Sequence, residues 1–452
     1  MRAPTRPTRS TRSTRPTRST RSRPTRAVGL AALMLLAPGL ARAGAFGRPN
    51  QIDARAVGVG GAFTGLADDP TAVWFNPAGL AQIRETTLLA GLELVSVGFH
   101  YTPSTCSPGG MTSTSCPEIN MSELLPLPTL GFSTRFASRG GHDASRLALG
   151  FGSFVTMGGV VDFDQAALVN AGEQRGIIHA QVALYEMVPS LAYKVNDALA
   201  VGLSLRAGVM GLGLTNFELR QLAHPVDAEL SGSGAGFGFG LGVLVRPLSW
   251  LQVGANYRSR LSVTVTGDGT IPLTQGATPQ RVGFTLTVPW PQAFSVGAAA
   301  TLAPGLRLLS SVDWTDWSSF DALAPQFSDP NLNANGRLLL DYRDSYTVHA
   351  GAEYALGEAG AVRAGYAFDS AAIPDRTLDR QLQDGPRHTV GGGGGLRLGG
   401  RIWIDLAGEL FFGSTRVVLD NSMSVPRYQA NTAPGRYSAT LISVELTGRY
   451  QF

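Results

Sequence analysis

The sequence is short of charge, and beyond its N-terminus it has no long apolar run. Charged residues make up 15% of the 452 residues, which is low for a water-soluble protein of this size. A transmembrane helix needs about 20 consecutive, mostly apolar residues. No stretch beyond residue 43 reaches that length. The composition therefore disfavours a membrane protein built from helices.

Cysteine and lysine are also scarce. The single lysine is Lys194, and the two cysteines, Cys106 and Cys116, bound the segment "CSPGGMTSTSC". Proline, glycine, serine and threonine in this interval indicate a loop. In an exported protein such a pair is expected to form a disulfide. A metal site is not expected, because no histidine or further cysteine lies nearby.

The N-terminus has the pattern of a secretory signal peptide. Residues 1–26 hold nine arginines and no acid, and "AVGLAALMLLAPGLARA" follows at residues 27–43. A basic region, an apolar region and small residues at Ala41 and Ala43 predict cleavage before Gly44. The basic tract is unusually long, which leaves the true start codon open. The apolar run argues against the alternative, a basic tail that binds nucleic acid.

Removal of that segment changes the sign of the net charge. Residues 1–43 carry ten of the 37 basic residues and none of the 33 acidic ones, so the mature chain would be net acidic. The sequence pI of about 9.2 therefore belongs mostly to the leader. No nucleic-acid partner is expected.

From about residue 84 the chain alternates apolar and polar residues. In "TLISVELTGRYQF", Ile442, Val444 and Leu446 fall on one face, and Ser443 and Glu445 fall on the other. Similar runs occur in "RIWIDLAGELFF" and "LQVGANYRSRLSV". The second predicts one strand over residues 250–266, with Tyr257, Leu261 and Val263 on its apolar face. Each is about ten residues or longer, which is the length of a membrane-spanning strand with one lipid face and one lumen face.

The number and spacing of these runs predict a transmembrane antiparallel β-barrel. We count fourteen spanning strands when residues 281–290 and 292–303, divided by Pro291, form one bent strand. Short turns alternate with long polar loops, as in outer-membrane barrels. The predicted fold class is therefore all-β, in the outer membrane of a Gram-negative-type bacterium, with surrounding lipid as a partner.

The segment "LADDPTAVWFNPAGLAQI", residues 66–83, differs from the rest. Asp69 before Pro70 predicts a helix N-cap followed by proline at the first helical position. Asn76-Pro77 would end that helix and begin another turn. These residues predict a small helical plug rather than a strand.

The plug resembles the N-terminal hatch of FadL-type outer-membrane transporters, a family of channels for long-chain fatty acids and aromatic hydrocarbons. The similarity lies in Gly61-Ala62-Phe63, Ala67-Asp68-Asp69 and Asn76-Pro77-Ala78. The strand count, the aromatic C-terminal residue and "IPDRTLDRQLQDGPRHTVGGG" are similar as well, so the resemblance covers essentially the whole mature chain. It implies three regions: a leader (1–43), a hatch (44–83) and a barrel (84–452).

The resemblance also implies how such a channel works. A hydrophobic small molecule enters at the outer loops, rests in a lumenal pocket against the hatch and leaves sideways through a kink in an early strand. The implied hatch or gate residues are Phe46, Phe63, Asp68, Asp69, Trp74, Phe75, Asn76, Pro77 and Ala78. The implied kink or lateral opening lies at Gly150, Gly152, Gly158 and Gly159. Alternatively, the hatch residues only cap and pack, and the glycines are ordinary lipid-facing residues.

Some inferences about the ligand and the activity come from the residues themselves. Inward-facing Arg258, Arg260 and Arg449 are candidates to hold a carboxylate head group. The six histidines stand in no serine or metal motif at useful spacing, and no G-x-S-x-G elbow occurs. The function that the resemblance implies is passive uptake of hydrophobic molecules, most of all long-chain fatty acids, by a monomer, and no enzyme activity, cofactor or metal is expected. An aromatic-hydrocarbon channel and a barrel that acts as a scaffold or adhesin are the alternatives.

Overall fold

The structure is a computed structural model. It describes Met1 and residues 52–106, 114–136, 146–164, 167–168, 179–219, 226–272, 278–333, 337–378, 380, 383–419 and 434–452. The expected signal peptide and Phe46 lie outside the described residues. No helix in the described part of the chain is long and apolar enough to span a membrane.

Antiparallel strands form a closed barrel. The long strands are β1 (Thr87–Pro103), β2 (Ile119–Arg135), β3 (Leu147–Asp162), β4 (His179–Lys194), β5 (Leu199–Leu219), β6 (Val226–Leu248), β7 (Leu251–Arg258), β8 (Leu261–Ile271), β9 (Gln280–Trp290), β10 (Ala293–Ala303), β11 (Leu306–Thr315), β15 (Ser345–Ala355), β16 (Gly360–Asp369), β17 (Arg387–Leu398), β18 (Ile402–Gly413) and β20 (Gly435–Gln451). The short strands are β12 (Ala322–Leu323), β13 (Gln326–Phe327), β14 (Leu338–Leu339) and β19 (Arg416–Val418).

Two pairs of consecutive segments each act as one spanning strand, which gives the predicted fourteen. β7 and β8 continue each other along β6, and β9 and β10 run back along them. The predicted bent strand across Pro291 is confirmed. β20 pairs with β1 along its length and closes the barrel, so the backbone groups of the terminal strands are satisfied.

The interruption between β7 and β8 contradicts the prediction of one continuous strand over residues 250–266. Ser259 leaves the regular ladder: its N–H donates to the carbonyl of Phe239 at 2.8 Å, and its Oγ accepts from the N–H of Phe239 at 2.8 Å. This one-residue shift works like a β-bulge and turns the following residues to the opposite face. Leu261 and Val263, predicted to share a face with Tyr257, are instead buried inside the barrel.

The barrel has two halves of opposite polarity. In β1, Leu92 and Leu94 face outward and Glu93 faces inward, whereas further along the strand Ser96 is exposed and Val97 is buried. β8 continues the second pattern, with Ser262, Thr264 and Thr266 exposed and Leu261, Val263 and Val265 buried. The half near the short turns is therefore a membrane barrel with a polar lumen. The half near the long connections has an apolar interior and a polar exterior.

The segment from residue 52 to residue 83, here called the hatch, fills the lumen of the membrane half. It contains α1 (Ala54–Gly58), α2 (Ala72–Phe75) and a 3₁₀ helix (Pro77–Gln82). Its apolar side chains form one buried cluster with inward residues of the barrel, among them Phe154, Val188 and Leu244. The hatch is thus packed as a protein core rather than suspended in an open channel.

Candidate functional site: the hatch and the cavity above it

Short polar side chains shape the turns of the hatch, but α2 begins two residues later than predicted. Its N-cap is Thr71 rather than Asp69, and Pro70 precedes the helix. Asp69 Oδ1 accepts hydrogen bonds from the N–H and the hydroxyl of Thr71, at 2.9 and 2.5 Å. Asn76 ends α2, and its side chain accepts from the N–H of Ala78 at 3.2 Å, with Pro77 at the first position of the 3₁₀ helix. The turns therefore hold their shape through their own side chains.

Some aromatic rings of the hatch pack against each other, and one packs against the barrel wall. Phe63 and Phe75 meet edge-to-face at 5.1 Å, and Trp74 meets Phe154 of β3 at 5.5 Å. Amide side chains tie the same segment to the barrel. Asn76 Nδ2 donates to the carbonyl of Val243 at 2.9 Å, and Asn256 Nδ2 donates to the carbonyl of Trp74 at 2.9 Å.

Glycine lets the hatch approach the wall closely. A Cβ added at Gly202 would lie 2.3 Å from the backbone nitrogen of Ala78, and one at Gly365 would lie 2.1 Å from that of Gly60. Side chains or backbone of the hatch stand within 3 Å of the same added atom at further inward glycines: Gly131, Gly150, Gly152, Gly242, Gly254, Gly297, Gly351 and Gly391. Much of the glycine content of the strands thus makes room for the hatch.

A buried network of charges, here called the hatch charge cluster, links the hatch to the later strands. Its members are Asp53, Arg55, Asp68, Asp69, Arg307, Glu353, Arg363, Asp405 and Arg449. Arg55 pairs with Asp68 at 2.5 Å and with Glu353 at 3.0 Å, and Arg307 contacts the same two carboxylates at 3.1 Å. Arg363 and Arg449 extend the network to Asp405.

Two hatch carboxyls in this cluster differ in their protonation. Burial raises the pKa of Asp68, but Arg55 and Arg307 outweigh it and hold the pKa below its usual value. Burial and then the neighbouring Asp69 raise the pKa of Asp53 to about 7, against the opposing effect of Arg449. The cluster therefore contains one acid that is readily protonated near neutral pH.

A cavity lies on the hatch, with Trp74 in its floor. It measures about 910 Å³ when the part open to solvent is included. Apolar and polar side chains both line it, among them Trp74, Phe99, Met157, Trp317, Tyr342, Ile373, Arg206, Arg258, Thr347, Asp369, Gln383 and Arg387. Such a mixture suits a largely apolar ligand that carries one polar group.

The three predicted head-group arginines lie in different places. Arg258 is buried in the cavity floor with its guanidinium carbon 4.1 Å from the centre of the Trp74 ring. Arg449 lies in the hatch charge cluster, bonded to Asp405 at 2.8 Å. Arg260 is not inward-facing as predicted, because it follows the shift at Ser259. It is half-exposed and bonds Asp316 at 3.1 Å.

Arg258 differs from its neighbour Arg206. Arg206 forms two hydrogen bonds of 2.8 Å with Glu186 and a third of 2.7 Å with the carbonyl of Ser259. Among the residues that the structure describes, no carboxylate lies within ion-pair distance of Arg258. Its face rests on Trp74, and its charge borders the cavity.

The glycine-rich strand β3 leaves its neighbour partway along. It pairs with β2 from Ala148 to Phe154, and no ladder to β2 follows within the described residues. The register with β4 shifts between Val155 and Met157, and Gly158 has a φ of +142°. Gly150 and Gly152 face the hatch rather than lipid, while Gly159 stays in the ladder opposite Val182.

At the outer end, a disulfide joins Cys106 to Cys116 with their Cα atoms 5.6 Å apart. Sequence reasoning did not identify Arg55, Glu353, Arg363 or His349 as hatch contacts. For Glu353, Arg363 and His349 the available signal was a charged or titratable residue at an inward position of an alternating strand. Among the described residues, no group of three or more His, Cys, Asp or Glu side chains is arranged to hold a metal ion.

Hatch, cavity and closed barrel together define a plugged outer-membrane channel. The sequence model of the family described as outer membrane protein transport protein (OMPP1/FadL/TodX) matches residues 34–452. The chain belongs to this family, whose members form channels for hydrophobic compounds in the outer membrane. A protein of Neisseria meningitidis serogroup B, named as a candidate outer membrane protein, is 26% identical over 186 residues, which cover 37% of each chain.

Solved structures share the fold at low sequence identity. A Pseudomonas aeruginosa FadL homologue has a TM-score of 0.76 at 19% identity, covering 90% of this chain and 100% of that one. The Ralstonia pickettii toluene transporter TbuX has a TM-score of 0.61 at 18% identity over 90% and 98% of the two chains. The Pseudomonas putida toluene transporter TodX has 0.62 at 15% identity over 91% and 100%.

Proposed function

We propose that this protein, as a monomer, carries long-chain fatty acids passively across the outer membrane through the cavity above the hatch. The observation that supports this substrate is Arg258. A buried guanidinium without a carboxylate partner among the described residues is costly unless a ligand supplies the anion. A fatty acid carboxylate is such an anion, and it would bind Arg258 at the floor while the acyl chain extends away from it.

The apolar lining supports the rest of the molecule. Burial of apolar surface contributes about 25 cal/mol per Å², so an acyl chain laid along Phe99, Trp317 and Ile373 would add substantially to the affinity. The carboxylate fixes the orientation and the chain supplies most of the free energy. Arg206 remains bonded to Glu186 and also contacts the Trp74 ring, with its guanidinium carbon 5.5 Å from the ring centre.

For release, we propose that the hatch moves and the ligand leaves sideways past β3. Support comes from the missing ladder between β2 and β3 beyond Phe154 and from the contact between that residue and Trp74. A shift of Trp74 would reach both the ligand and this part of the wall. The predicted role of Phe46 beside the pocket remains a proposal.

Aromatic hydrocarbons are the second candidate, because aromatic rings line part of the wall of the cavity. Trp290, Trp317, Phe320 and Tyr342 form a cluster with ring centres 5.7 to 6.0 Å apart, and two of them line the cavity. Such rings favour an aromatic guest in offset or edge-to-face contact. A hydrocarbon has no anionic group to pair with Arg258, which separates the two candidates.

Uptake and binding of radiolabelled oleate and toluene by Arg258→Met, Arg258→Lys and wild-type protein test these proposals. A charge-assisted hydrogen bond is worth about 1.5–3 kcal/mol, so Arg258→Met should weaken oleate binding about 10- to 100-fold and leave toluene unchanged. Arg258→Lys should recover part of the loss. Arg281→Met, which removes an exposed arginine of β9, is the matched control.

The outcomes separate the candidates. Equal oleate binding by wild type and Arg258→Met would overturn the carboxylate assignment. Protein-dependent uptake of toluene alone would favour the aromatic-hydrocarbon channel. If neither compound depends on the protein, a non-transporting scaffold or adhesin becomes the better proposal.

A further inference from the structure

His349 joins the hatch to the wall through both nitrogens of its ring. Nδ1 lies 2.7 Å from the carbonyl oxygen of Gly60 in the hatch, and Nε2 lies 3.1 Å from Oδ2 of Asp313 in β11. The ring is only 3% exposed. A carbonyl oxygen can only accept, so Nδ1 must carry a hydrogen to make the first contact.

The second contact then requires one more proton. Either the ring is an imidazolium beside an ionised Asp313, or Asp313 is protonated and donates to Nε2. Both arrangements hold one proton more than a neutral histidine beside an ionised aspartate. When the hatch moves and the Gly60 carbonyl leaves His349, the extra proton is no longer needed. A neutral ring whose Nε2–H donates to an ionised Asp313 then satisfies both groups.

Asp53 in the hatch gives independent support for a proton held in the docked state. Its carboxyl is fully buried, and neither oxygen has a hydrogen-bond partner among the described residues. The hatch charge cluster sets five carboxyls against four guanidiniums, so it is neutral when one carboxyl carries a proton. Asp53 makes none of the ion pairs of the cluster, and its pKa, raised to about 7, agrees with that assignment.

We propose that the docked hatch holds protons at the His349–Asp313 pair and at Asp53, and releases them when it leaves the wall. Protons therefore keep the gate closed, and rising pH loosens it. The inference rests on the proposed role of the hatch as a gate. It makes uptake a function of external or periplasmic pH without any change of ligand.

Other charged groups around His349 and Asp53 do not reverse the expected direction of the pH dependence. His349 is acted on by Asp313 and Asp369, and Arg258 acts on Asp313. Asp53 is acted on by Arg55, Asp69, Asp405 and Arg449. Asp68, whose pKa is lowered, stays ionised above about pH 5, so its titration does not contribute to a rise in opening above that pH.

Single-channel conductance of the full-length protein in planar bilayers, measured from about pH 5 to pH 9, tests the proposal. The range extends below 7 because Asp53, with a pKa of about 7 in the docked hatch, can release its proton on undocking only below that pH. The open fraction of wild type should rise with pH, by up to about tenfold per unit for each proton released. Asp53→Asn and His349→Gln keep polar side chains but remove one titrating site each, so each should flatten the rise. The double variant should show no rise.

Controls keep the outcomes distinct. His388→Gln removes a wall histidine that bonds Tyr366 at 2.7 Å and has no hydrogen bond to the described residues of the hatch, so it should keep the wild-type profile. Heat-modifiable electrophoretic mobility checks that each barrel is folded. A pH-independent wild type, or a double variant that keeps the rise, would overturn the proposal. Glu353→Gln should conduct at every pH; a closed channel there would also overturn the role of the hatch as a gate.

Discussion

Arg55 of the hatch and Glu353 of β15 face each other through two hydrogen bonds, from Nε to Oε2 at 3.0 Å and from Nη2 to Oε1 at 3.2 Å. Both residues are buried. Arg307 and Arg363 contact the same carboxylate from two neighbouring strands. Glu353 is therefore the point where the hatch and three strands of the wall are held together.

We expect Glu353→Gln to loosen the hatch while the barrel stays folded. The change leaves three guanidiniums without their shared carboxylate, and removal of one partner of a buried ion pair costs about 3–5 kcal/mol. Ion conductance in planar bilayers should rise above that of wild type. Asp268→Asn, which breaks an exposed pair with Arg281, should leave conductance unchanged. Equal conductance in both variants would contradict the assigned role.

We expect Gly202→Ala to displace the hatch from β5. The new Cβ would lie 2.3 Å from backbone atoms of Pro77 and Ala78, and neither strand nor 3₁₀ helix can shift freely. Overpacking of this kind costs about 1–3 kcal/mol. Entry of a small hydrophilic antibiotic into cells reports the leak. Gly213→Ala on the same strand meets nothing within 4 Å, so equal leakiness of the two would refute the explanation.

Asp68→Asn should weaken hatch docking in a pH-dependent way. Its lowered pKa means that the ionised form is stabilised in the docked hatch, so its contribution is present above the unfolded value of 3.8 and is lost as pH falls through the lower docked value. The difference in thermal stability between wild type and the variant should be largest near neutral pH and should shrink in strong acid. A difference that grows on acidification would show the reverse sign.

Replacement of Cys106 and Cys116 by serine should affect the outer end locally. A bridge that closes a loop of about ten residues contributes about 2–3 kcal/mol, mainly by restricting the open chain. Limited proteolysis should cut the variant faster between β1 and β2. The melting temperature of the barrel should fall by only a few degrees, because the ladders of β1 with β2 and β20 do not involve this loop. A large drop in that temperature would show a wider role.

Alternation was enough to predict the barrel, because lipid and lumen impose opposite requirements on successive residues of a strand. In β20, Ile442 and Val444 are exposed and Ser443 and Glu445 are buried, as predicted. The same rule failed after Ser259. The one-residue shift exchanges the inward and outward faces of the strand. Because the residues of β8 still alternate, the pattern alone does not show which face is inside.

The partners of the hatch could not be predicted in the same way. Arg55 and Glu353 are 298 residues apart, and the register that brings them together depends on every strand between them. The turn at Asp69 and the one at Asn76 were readable, because those side chains bond residues two positions away. Contacts within a few residues follow from the sequence; contacts across the lumen need the closed barrel.

The outward-facing side chains change from apolar to polar along the strands, and this change sets the depth of the barrel in the membrane. If the barrel moved outward by two residues, the apolar side chain of Leu94 would leave the hydrocarbon and enter water. If it slid inward by two, Ser96 and its counterparts Ser262 and Thr264 would enter hydrocarbon. Because the change in polarity occurs on several strands, it fixes the position of the barrel along the membrane normal. The outer half of the barrel therefore holds its apolar interior beyond the membrane, inside a polar exterior.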